Sequence, residues 1–313
     1  MIIFCGSLPA NLFRDNHYVL FNSINYSTHP EDAMKSRVLI KIGGRAFADE
    51  QGFRELAEAI TSGSNLEVII VHGGGAEISQ ALEDAGRQTE FVDGIRVTRS
   101  ADIQIVEEVL SGSVNQRISS WLEAAGVPSM RMSGKTEGLF ITEPLVRSGR
   151  ELGFVGLIKQ VNPAAVIDAI HSGRVPVISP ISANEKGASY NVNADSAAAA
   201  LAAAAGCTDL VFITDVPGVL VDNQTRASLT VKAAQTLIAN GSIKGGMVAK
   251  MESAFEALNQ DVPRVHIIQW QGPHTLRNII NRKSTAGTII QSELFYPPPH
   301  NSTSLAVVKK ACR

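Results

Sequence analysis

The stretch that decides the fold is Leu66-Glu67-Val68-Ile69-Ile70-Val71-His72-Gly73-Gly74-Gly75, which continues as a polar and apolar mixture through Ala76–Ala85. Five of the six residues from Leu66 to Val71 are apolar and most of those are β-branched, which is typical of a strand buried on both faces of a parallel sheet. After the three glycines, apolar residues recur at helical spacing, as at Ile78 and Leu82. A strand, a glycine turn and a helix in this order direct free backbone N–H groups and the positive end of a helix dipole at an anion.

A second glycine turn, Lys41-Ile42-Gly43-Gly44, follows another apolar strand, Val38–Ile40. The first turn does not match the dinucleotide-binding fingerprint, because Ile78 stands where the third glycine is required, and the chain has no Gly-Lys-Ser/Thr tripeptide of a Walker loop. A tight turn without a ligand is the better explanation of one such turn alone. Two turns of the same kind favour a phosphate-binding edge of the sheet.

Length, charge and cysteine content exclude several classes of protein. The 313 residues suffice for two domains or one large α/β unit, and the net charge of −2 argues against a nucleic-acid-binding protein. No apolar run approaches the ~20 residues that cross a bilayer. Cys5, Cys207 and Cys312 lie far apart without metal-ligand spacing, which suits a reducing compartment. We expect a cytoplasmic protein without a nucleic-acid or membrane partner.

Strands alternate with helices from residue 37 to residue 291, which predicts a three-layer αβα sandwich with a mostly parallel central sheet. Residues 1–36 lack either periodicity and are predicted to form a poorly ordered arm, and 293–313 a flexible tail. Phe91–Thr98 is predicted to be a loop or short hairpin. Ser100 is predicted to cap a long helix that bends near Gly112, and its wide apolar face predicts a dimer surface, although core packing explains that face almost as well.

Polar residues stand beside glycines at the ends of strands and helices, and no local nucleophile or metal-ligand motif occurs. The set is Lys41, His72, Arg96, Asn191, Asn193, Asp195, Asp215, Lys244 and Lys250. Lysines act as mobile point charges and arginine binds carboxylates in a bidentate manner, so the set suits anionic ligands. Phosphoryl transfer needs little else, since its catalysis is mostly positioning and charge stabilisation. Taken singly, a lysine exposed to solvent, a helix cap at Asp195, a surface ion pair at Arg96 or a turn at Asp215 is the more common explanation.

Taken together and in order, these residues resemble the amino-acid kinase family, and most closely its N-acetylglutamate kinases, over about residues 37–291. The motifs are Lys41-Ile-Gly-Gly, His72-Gly-Gly-Gly, Gly94-Ile-Arg-Val-Thr98, Ser133-Gly-Lys, Asn191-Val-Asn-Ala-Asp195, Thr214-Asp-Val-Pro-Gly-Val219 and Gly245-Gly-Met-Val-Ala-Lys250. Each motif is weak alone, but the ordered set is specific. The resemblance implies the amino-acid kinase fold and ATP-dependent phosphorylation of the γ-carboxylate of N-acetyl-L-glutamate, a step of arginine biosynthesis.

The resemblance also implies roles for individual residues. The catalytic residues would be Lys41, Lys250 and Asp195, with the carboxylate holding both lysines in place. The phosphate-binding residues would be Gly43 and Gly44, and the substrate-binding residues Gly74, Gly75, Arg96 and Asn191. The nucleotide-binding residues would be Asp215, Gly218, Lys244, Gly246 and Met247. Mg²⁺ would arrive with ATP and have no dedicated protein ligands. Residues 37–184 would form an acyl-amino-acid-binding and dimerisation lobe, and 185–292 an ATP-binding lobe.

Several positions depart from the family pattern or leave alternatives open. For His72, a structural hydrogen-bonding role is at least as good an explanation as a role in the anion-binding turn. Lys135 resembles part of a Ser-Gly-Lys-Asp-Gly turn, but Thr136-Glu137-Gly138 follows it. Arginine-inhibited members resemble one another in a long N-terminal helix, which residues 1–36 do not resemble. They also share a glutamate and a glycine at positions where this chain has Ile279 and Thr285. We therefore expect a homodimer that arginine does not inhibit.

Two rival functions remain open at this point. A sibling kinase could act on N-succinylglutamate or carrier-bound aminoadipate. A non-catalytic kinase-like regulatory module, as in some acetylglutamate synthases, is a rival of another class, but such modules tend to lose the catalytic lysines that are present here.

Overall fold

The computed structural model describes residues 35–43, 47, 49–63, 65–283 and 287–292. The predicted tail at 293–313 and all but the last two residues of the predicted arm at 1–36 lie outside these ranges, as do Gly44 and Thr285. The last residue assigned to the arm, Ser36, already belongs to the first strand.

The described residues form strands alternating with helices. The strands are β1 Ser36–Ile42, β2 Leu66–His72, β3 Phe91–Val92, β4 Ile95–Arg96, β5 Ser129–Ser133, β6 Phe140–Arg147, β7 Arg150–Val161, β8 Val175–Ser179, β9 Ile181–Ala183, β10 Ser189–Asn191, β11 Asp209–Thr214, β12 Leu220–Val221, β13 Gln224–Thr225, β14 Ser228–Thr230, β15 Arg264–Gln269 and β16 Thr288–Gln291. The helices are α1 Glu50–Thr61, α2 Gly75–Asp84, α3 Ile103–Glu107, α4 Asn115–Ala124, α5 Ala164–His171, α6 Ala194–Ala204, α7 Val231–Ala239, α8 Gly246–Asn259 and α9 His274–Ile280.

The main sheet is mostly parallel, as predicted. Within the described residues its strand order is β14-β16-β15-β11-β1-β2-β8-β5, and β15 with β16 is its antiparallel pair. The glycine turns after β1 and β2 lie side by side at one edge, since these strands are parallel neighbours with Ile42 opposite His72. The sequence analysis missed β14 and β16, because strands of three and four residues are too short to show a period.

Apolar side chains fill both faces of this sheet. Along β1, Leu39 joins the cluster that contains α5, α6 and α8, whereas Val38 and Ile40 join the cluster that contains α1, α4 and α9. This alternation gives the predicted three layers. No helix in the part of the chain that the structure describes is long and apolar enough to cross a membrane.

Strands β6, β7, β9 and β10 close into a small barrel beside the sheet. Within this barrel β6 and β7 are paired antiparallel across register shifts. Strand β10 is held on both sides, by β9 in antiparallel pairing and by β7 in parallel pairing at Asn191 and Val155. This places a predicted substrate-binding residue in the barrel wall next to the main sheet.

The helix predicted to begin after Ser100 differs from the prediction in where it begins and in its geometry near Gly112. Asp102, not Ser100, occupies the N-cap position of α3, so the predicted cap is wrong. The Asp102 side chain makes no capping hydrogen bond; its buried carboxylate lies 3.7 Å from Arg87 and 3.8 Å from Arg99. The position of the predicted bend, Gly112, lies in a π-helical turn, Glu108–Val114, between α3 and α4.

Candidate active site

Two lysines that are far apart in the sequence converge on one carboxylate. Lys41 Nζ lies 2.8 Å from Asp195 Oδ1, and Lys250 Nζ lies 2.9 Å from Asp195 Oδ2. Lys41 is near the end of β1, Asp195 is in the first turn of α6, and Lys250 is in α8. The three side chains are only 11–12% exposed, so the predicted trio forms one nearly buried cluster.

Asp195 is free to bind the lysines because another residue caps its helix. The side chain of Asn193 accepts hydrogen bonds from the backbone N–H groups of Asp195, at 2.8 Å, and Ser196, at 3.2 Å. The alternative that Asp195 is merely a helix cap is therefore wrong. Its carboxylate also lies in the first helical turn, where the helix dipole favours negative charge.

The electrostatics of the trio favour a charged cluster. Burial by itself would raise the pKa of Asp195, but the Lys41 and Lys250 ammonium groups outweigh burial and hold this pKa well below its ordinary value. Burial lowers the pKa of Lys250, although the Asp195 carboxylate opposes that shift. Lys250 Nζ also lies 4.8 Å from the centre of the Phe212 ring, a cation–π distance. The cluster holds two cations against one anion and can accept a further anion.

The two glycine turns differ in what their amides can bind. The N–H of Gly43 donates to the carbonyl of Ile213 at 3.2 Å, and that of Gly73 donates to the carbonyl of Ile42 at 3.0 Å. Because its N–H already has a backbone partner, Gly43 allows a ligand to approach the backbone closely but offers it no free hydrogen-bond donor. Gly74 and Gly75 begin α2, where the first N–H groups of a helix have no partner within the helix.

The two glycines at the start of α2 are required for different reasons. A Cβ at Gly74 would lie 2.7 Å from Leu110 Cδ2 in the π-helical turn, so a side chain there would require Leu110 to shift. A Cβ at Gly75 would meet no atom within 4 Å, so nothing in the described chain fills that space. The missing Cβ at Gly75 leaves room for a ligand against the backbone.

Arg96 is tied to the same glycine turn. Its Nη2 donates to the carbonyl of Gly75 at 2.8 Å and to Ser79 Oγ at 2.7 Å, and its guanidinium lies 4.7 Å from the centre of the Phe91 ring. Burial lowers the pKa of Arg96. Among the described residues its Nη1 is buried without a hydrogen-bond partner. A buried guanidinium nitrogen with free donors suits a carboxylate ligand, so the alternative of a surface ion pair is wrong for Arg96.

Asn191 is held on the barrel side of the site. Its Nδ2 donates to Thr98 Oγ1 at 3.1 Å, and Thr98 is fully buried and bridged to Gly153 of β7. The hairpin that carries Arg96 and the strand that carries Asn191 are therefore linked through the end of the motif Gly94–Thr98. Both predicted substrate-binding side chains are fixed before any ligand binds.

The residues predicted to bind the nucleotide differ from one another in exposure and surroundings. Asp215 follows β11 on an exposed turn. Its negative charge partly opposes the lowering of the Lys250 pKa by burial. Lys244 and Gly246 are exposed at the start of α8, beside Met247, where Gly245 has a φ of 63° that favours glycine. Gly218 is buried, and a Cβ there would lie 2.8 Å from Thr288 Oγ1, so packing inside the chain already accounts for this glycine.

His72 has a structural environment. It is 1% exposed, its Nδ1 lies 2.9 Å from the carbonyl of Gly73, and its Nε2 lies 3.0 Å from Asn115 Nδ2. These partners assign the proton to Nδ1, with Nε2 accepting from the Asn115 amide. Burial lowers the pKa of His72 to about 4, so the ring is neutral near pH 7.

Sequence reasoning missed several residues that hold the site. Ser79 and Phe91 position Arg96, and Thr98 positions Asn191. Ser79 is one helical turn after Gly75, a spacing that could have identified it. Phe91 and Thr98 act through contacts that only folding creates.

Comparisons with known proteins agree with this geometry. The sequence profile described as the Amino acid kinase family matches residues 36–269. The chain is 43% identical over 237 residues to the acetylglutamate kinase of Chloroflexus aurantiacus, covering 75% of this chain and 93% of that protein. It is 38% identical over 269 residues to the acetylglutamate kinase of Syntrophomonas wolfei subsp. wolfei, covering 84% and 93%.

Among solved structures, the N-acetylglutamate synthase of Neisseria gonorrhoeae has a similar fold. The TM-score is 0.72 at 22% identity, over 84% of this chain and 61% of that one. At this identity the likeness concerns the fold alone.

Proposed function

Because this chain belongs to the amino acid kinase family, we propose that its lysine–aspartate cluster transfers the γ-phosphoryl group of ATP to the γ-carboxylate of N-acetyl-L-glutamate. The products are ADP and N-acetylglutamyl 5-phosphate, as in arginine biosynthesis. The chain is an enzyme, a kinase whose acceptor is a carboxyl group. Its relatives of known name are acetylglutamate kinases that match over most of its length.

The reaction needs no general base. The acceptor carboxylate is ionised at neutral pH, so one of its oxygens forms a bond to the γ-phosphorus while the bond from that phosphorus to the β–γ bridging oxygen breaks. Lys41 and Lys250 would contact the transferring group from opposite sides and neutralise the charge that develops on it. Asp195 would keep both ammonium groups in place throughout.

The observation that carries this proposal is the sharing of one buried carboxylate by both lysines. A pair of cations held this way is preorganised, so little reorganisation is needed when the phosphoryl group arrives. A non-catalytic module would have no use for such a pair, which argues against that rival.

The remaining assignments belong to the same proposal. Arg96 Nη1 and Asn191 would bind the α-carboxylate and the amide of the acceptor, and Gly44, Gly74 and Gly75 would donate backbone N–H groups. Asp215, Gly218, Lys244, Gly246 and Met247 would contact the nucleotide. Mg²⁺ would arrive with ATP and neutralise negative charge on its phosphate groups, without a dedicated set of protein ligands. The lobes would be 37–184 and 185–292, with Lys41 from the first and the other two catalytic residues from the second.

An ADP-release assay over N-acetylglutamate, N-succinylglutamate, glutamate and aspartate tests the function. We expect N-acetylglutamate to give the highest kcat/KM. Lys41→Ala or Lys250→Ala should lower kcat by at least about a hundredfold, because each removes a charge that stabilises the transition state. Circular dichroism should show an intact fold in both. Activity of either variant within a few-fold of the unmodified enzyme would refute the assigned roles.

We also propose a cytoplasmic homodimer in which α3, the π-helical turn and α4 face the second copy. Gel filtration with light scattering should give twice the mass of the chain, and arginine at millimolar concentration should leave the rate unchanged. A hexamer, or inhibition by arginine, would contradict this part of the proposal without affecting the reaction.

A further inference from the structure

A charged cluster outside the catalytic trio surrounds Lys135, whose role the sequence motif left open. Lys135 Nζ lies 2.8 Å from Glu107 Oε1 and 3.1 Å from Ser189 Oγ, and Ser189 Oγ donates to Glu107 Oε2 at 2.7 Å. The three residues come from α3, from the turn after β5 and from β10. Each member contacts the other two, so the cluster ties three separate segments together.

The cluster is ionised and only partly exposed. The side chains of Lys135 and Glu107 are 35% and 31% exposed. Burial alone would raise the pKa of Glu107, but the hydrogen bonds from Lys135 and Ser189 outweigh burial and lower it. An ion pair that also binds a hydroxyl group holds that hydroxyl more firmly than a neutral hydrogen bond would.

Ser189 connects the cluster to the acceptor site. Ser189 and Asn191 lie two residues apart on β10, so their side chains leave the strand on the same face, about 7 Å apart along it. Asn191 is bonded to Thr98 just before α3, and Ser189 is bonded to Glu107 at the end of α3. One face of β10 is therefore fastened at two points to the α3 segment.

Both fastenings add to the backbone pairing of a strand that has only three residues. All three pair with β9, but only Asn191 pairs with β7. A shift of this strand would move Asn191 relative to Arg96, whose side chain is hydrogen-bonded to the carbonyl of Gly75 in α2. The distance between the two predicted acceptor-binding side chains therefore depends on the side-chain contacts of Ser189.

We propose that Glu107, Lys135 and Ser189 are positioning residues that act through Asn191 and set the affinity for the acylated amino acid. This inference rests on the proposed function, since it takes Asn191 to bind the acceptor. The cluster does not touch the lysine–aspartate trio, and the chemistry of phosphoryl transfer does not pass through it. Its loss should raise the KM for the acceptor and leave kcat and the KM for ATP largely unchanged.

Steady-state kinetics of Ser189→Ala and Lys135→Met in the full chain test this. Each should raise the acceptor KM about five- to tenfold, with kcat and the ATP KM within about twofold of the unmodified enzyme. Ser189→Thr keeps the hydroxyl group and should retain most of the affinity. Lys159→Met is the matched control, because it breaks the 3.2 Å ion pair of Lys159 with Glu143 in the same small barrel and should leave every constant unchanged.

A double-mutant cycle with Asn191→Ala separates positioning from a general structural role. If the cluster acts through Asn191, Ser189→Ala should add less than about twofold to the acceptor KM in the Asn191→Ala background. Titration calorimetry with N-acetylglutamate supplies the Kd where turnover is too slow to follow. Additive effects, equal losses in kcat and KM, or an unchanged acceptor KM in Ser189→Ala would overturn the inference while the unmodified enzyme remains active. An unmodified chain inactive on every acceptor would instead overturn the proposed function, and the inference with it.

Discussion

Individual residues in this site are explained by the groups that accompany them. Asp195 is an anion in a nearly dry location only because two ammonium groups bind its two oxygens, and it is available to them only because Asn193 caps α6. Removing Asp195 would leave two nearly buried ammonium groups without their counter-charge, which is more costly than losing an exposed ion pair. The residue that contacts the lysines and the residue that frees it are equally part of the site.

His72 shows the opposite case, a polar residue that burial keeps neutral. Its pKa falls from 6.5 in the unfolded chain to about 4 in the folded one. Between these values the unfolded chain binds a proton that the folded chain does not, so the free energy of unfolding decreases as the pH falls. The stability contributed by neutral His72 is complete above pH 6.5 and is lost progressively toward pH 4.

We therefore predict that the free energy of unfolding attributable to His72 drops by about 2 kcal/mol between about pH 7 and about pH 5. Urea unfolding of the unmodified chain and of His72→Asn at both pH values measures this, because the variant has no group to protonate at that position. The pH dependence should be shallower in His72→Asn. Parallel dependences in the two proteins would contradict the assignment.

At the scale of secondary structure, helix α6 determines how close Asp195 approaches the strand that carries Lys41. Eight alanines and one leucine follow Ser196 within Asp195–Ala205, and Ala197–Ala202 are essentially inaccessible to solvent. Alanine has a high helix propensity and a small side chain, so the helix is stable and packs closely on the sheet. The alanine-rich composition therefore accounts for the close packing of α6 on the sheet, which positions Asp195 beside Lys41.

Enlarging the buried face of α6 should move the helix away from β1. We predict that Ala198→Leu lowers the free energy of unfolding by about 1–3 kcal/mol, because Ala198 has no exposed surface and its neighbours leave no room. It should also lower kcat, since Asp195 moves with the helix. Thermal unfolding and steady-state kinetics measure both effects.

Ala203→Leu on the same helix is the control for this prediction. Ala203 is partly exposed, and leucine and alanine have similar helix propensities, so we expect a change within about 0.5 kcal/mol and unchanged kcat. If the two variants behaved alike, helix propensity and not packing would account for the alanines.

For the whole molecule, the tip of the β6–β7 hairpin joins the two predicted lobes. Arg147 Nη2 lies 2.9 Å from Glu252 Oε2 on α8, two residues after Lys250. Arg147 Nε lies 3.6 Å from Asp93, in the β3–β4 hairpin that also carries Arg96. One guanidinium thus links the hairpin that carries Arg96 to the helix that carries Lys250. These groups are 35–52% exposed, so the link contributes little to stability.

We predict that Arg147→Gln raises the KM values for both substrates a few-fold, because Arg147 links the hairpin that carries Arg96 to the helix that carries Lys250, while thermal stability changes little. Arg147→Glu combined with Glu252→Arg should recover part of the affinity. Arg54→Gln, which breaks the 2.8 Å ion pair of Arg54 with Glu50 on α1, is the control and should leave both constants unchanged. A stability loss without a kinetic effect in Arg147→Gln would mean that this contact only supports the fold.

How much of the structure could be predicted from the sequence depends on whether the residues concerned are close together or far apart along the chain. The alternation of strands and helices, the glycine turns and the ordered motifs predicted the three-layer sandwich and the convergence of Lys41, Asp195 and Lys250. The cap at Ser100 was wrong because the helix begins only after Asp102, and the boundary of a helix is weakly specified by local sequence. The short strands β14 and β16 were missed because too few residues carry their pattern.

The sequence by itself determined what repeats locally: the periodicity of each strand and helix, the glycines where backbone must approach a ligand, and the residue types that suit anions. Only the tertiary structure decided which side chains meet. Ser79 and Phe91 hold Arg96, and Glu107, Lys135 and Ser189 form one cluster. Such contacts join residues as many as 82 positions apart, as between Glu107 and Ser189. Their partners are chosen by packing in three dimensions, which no local pattern of the chain encodes.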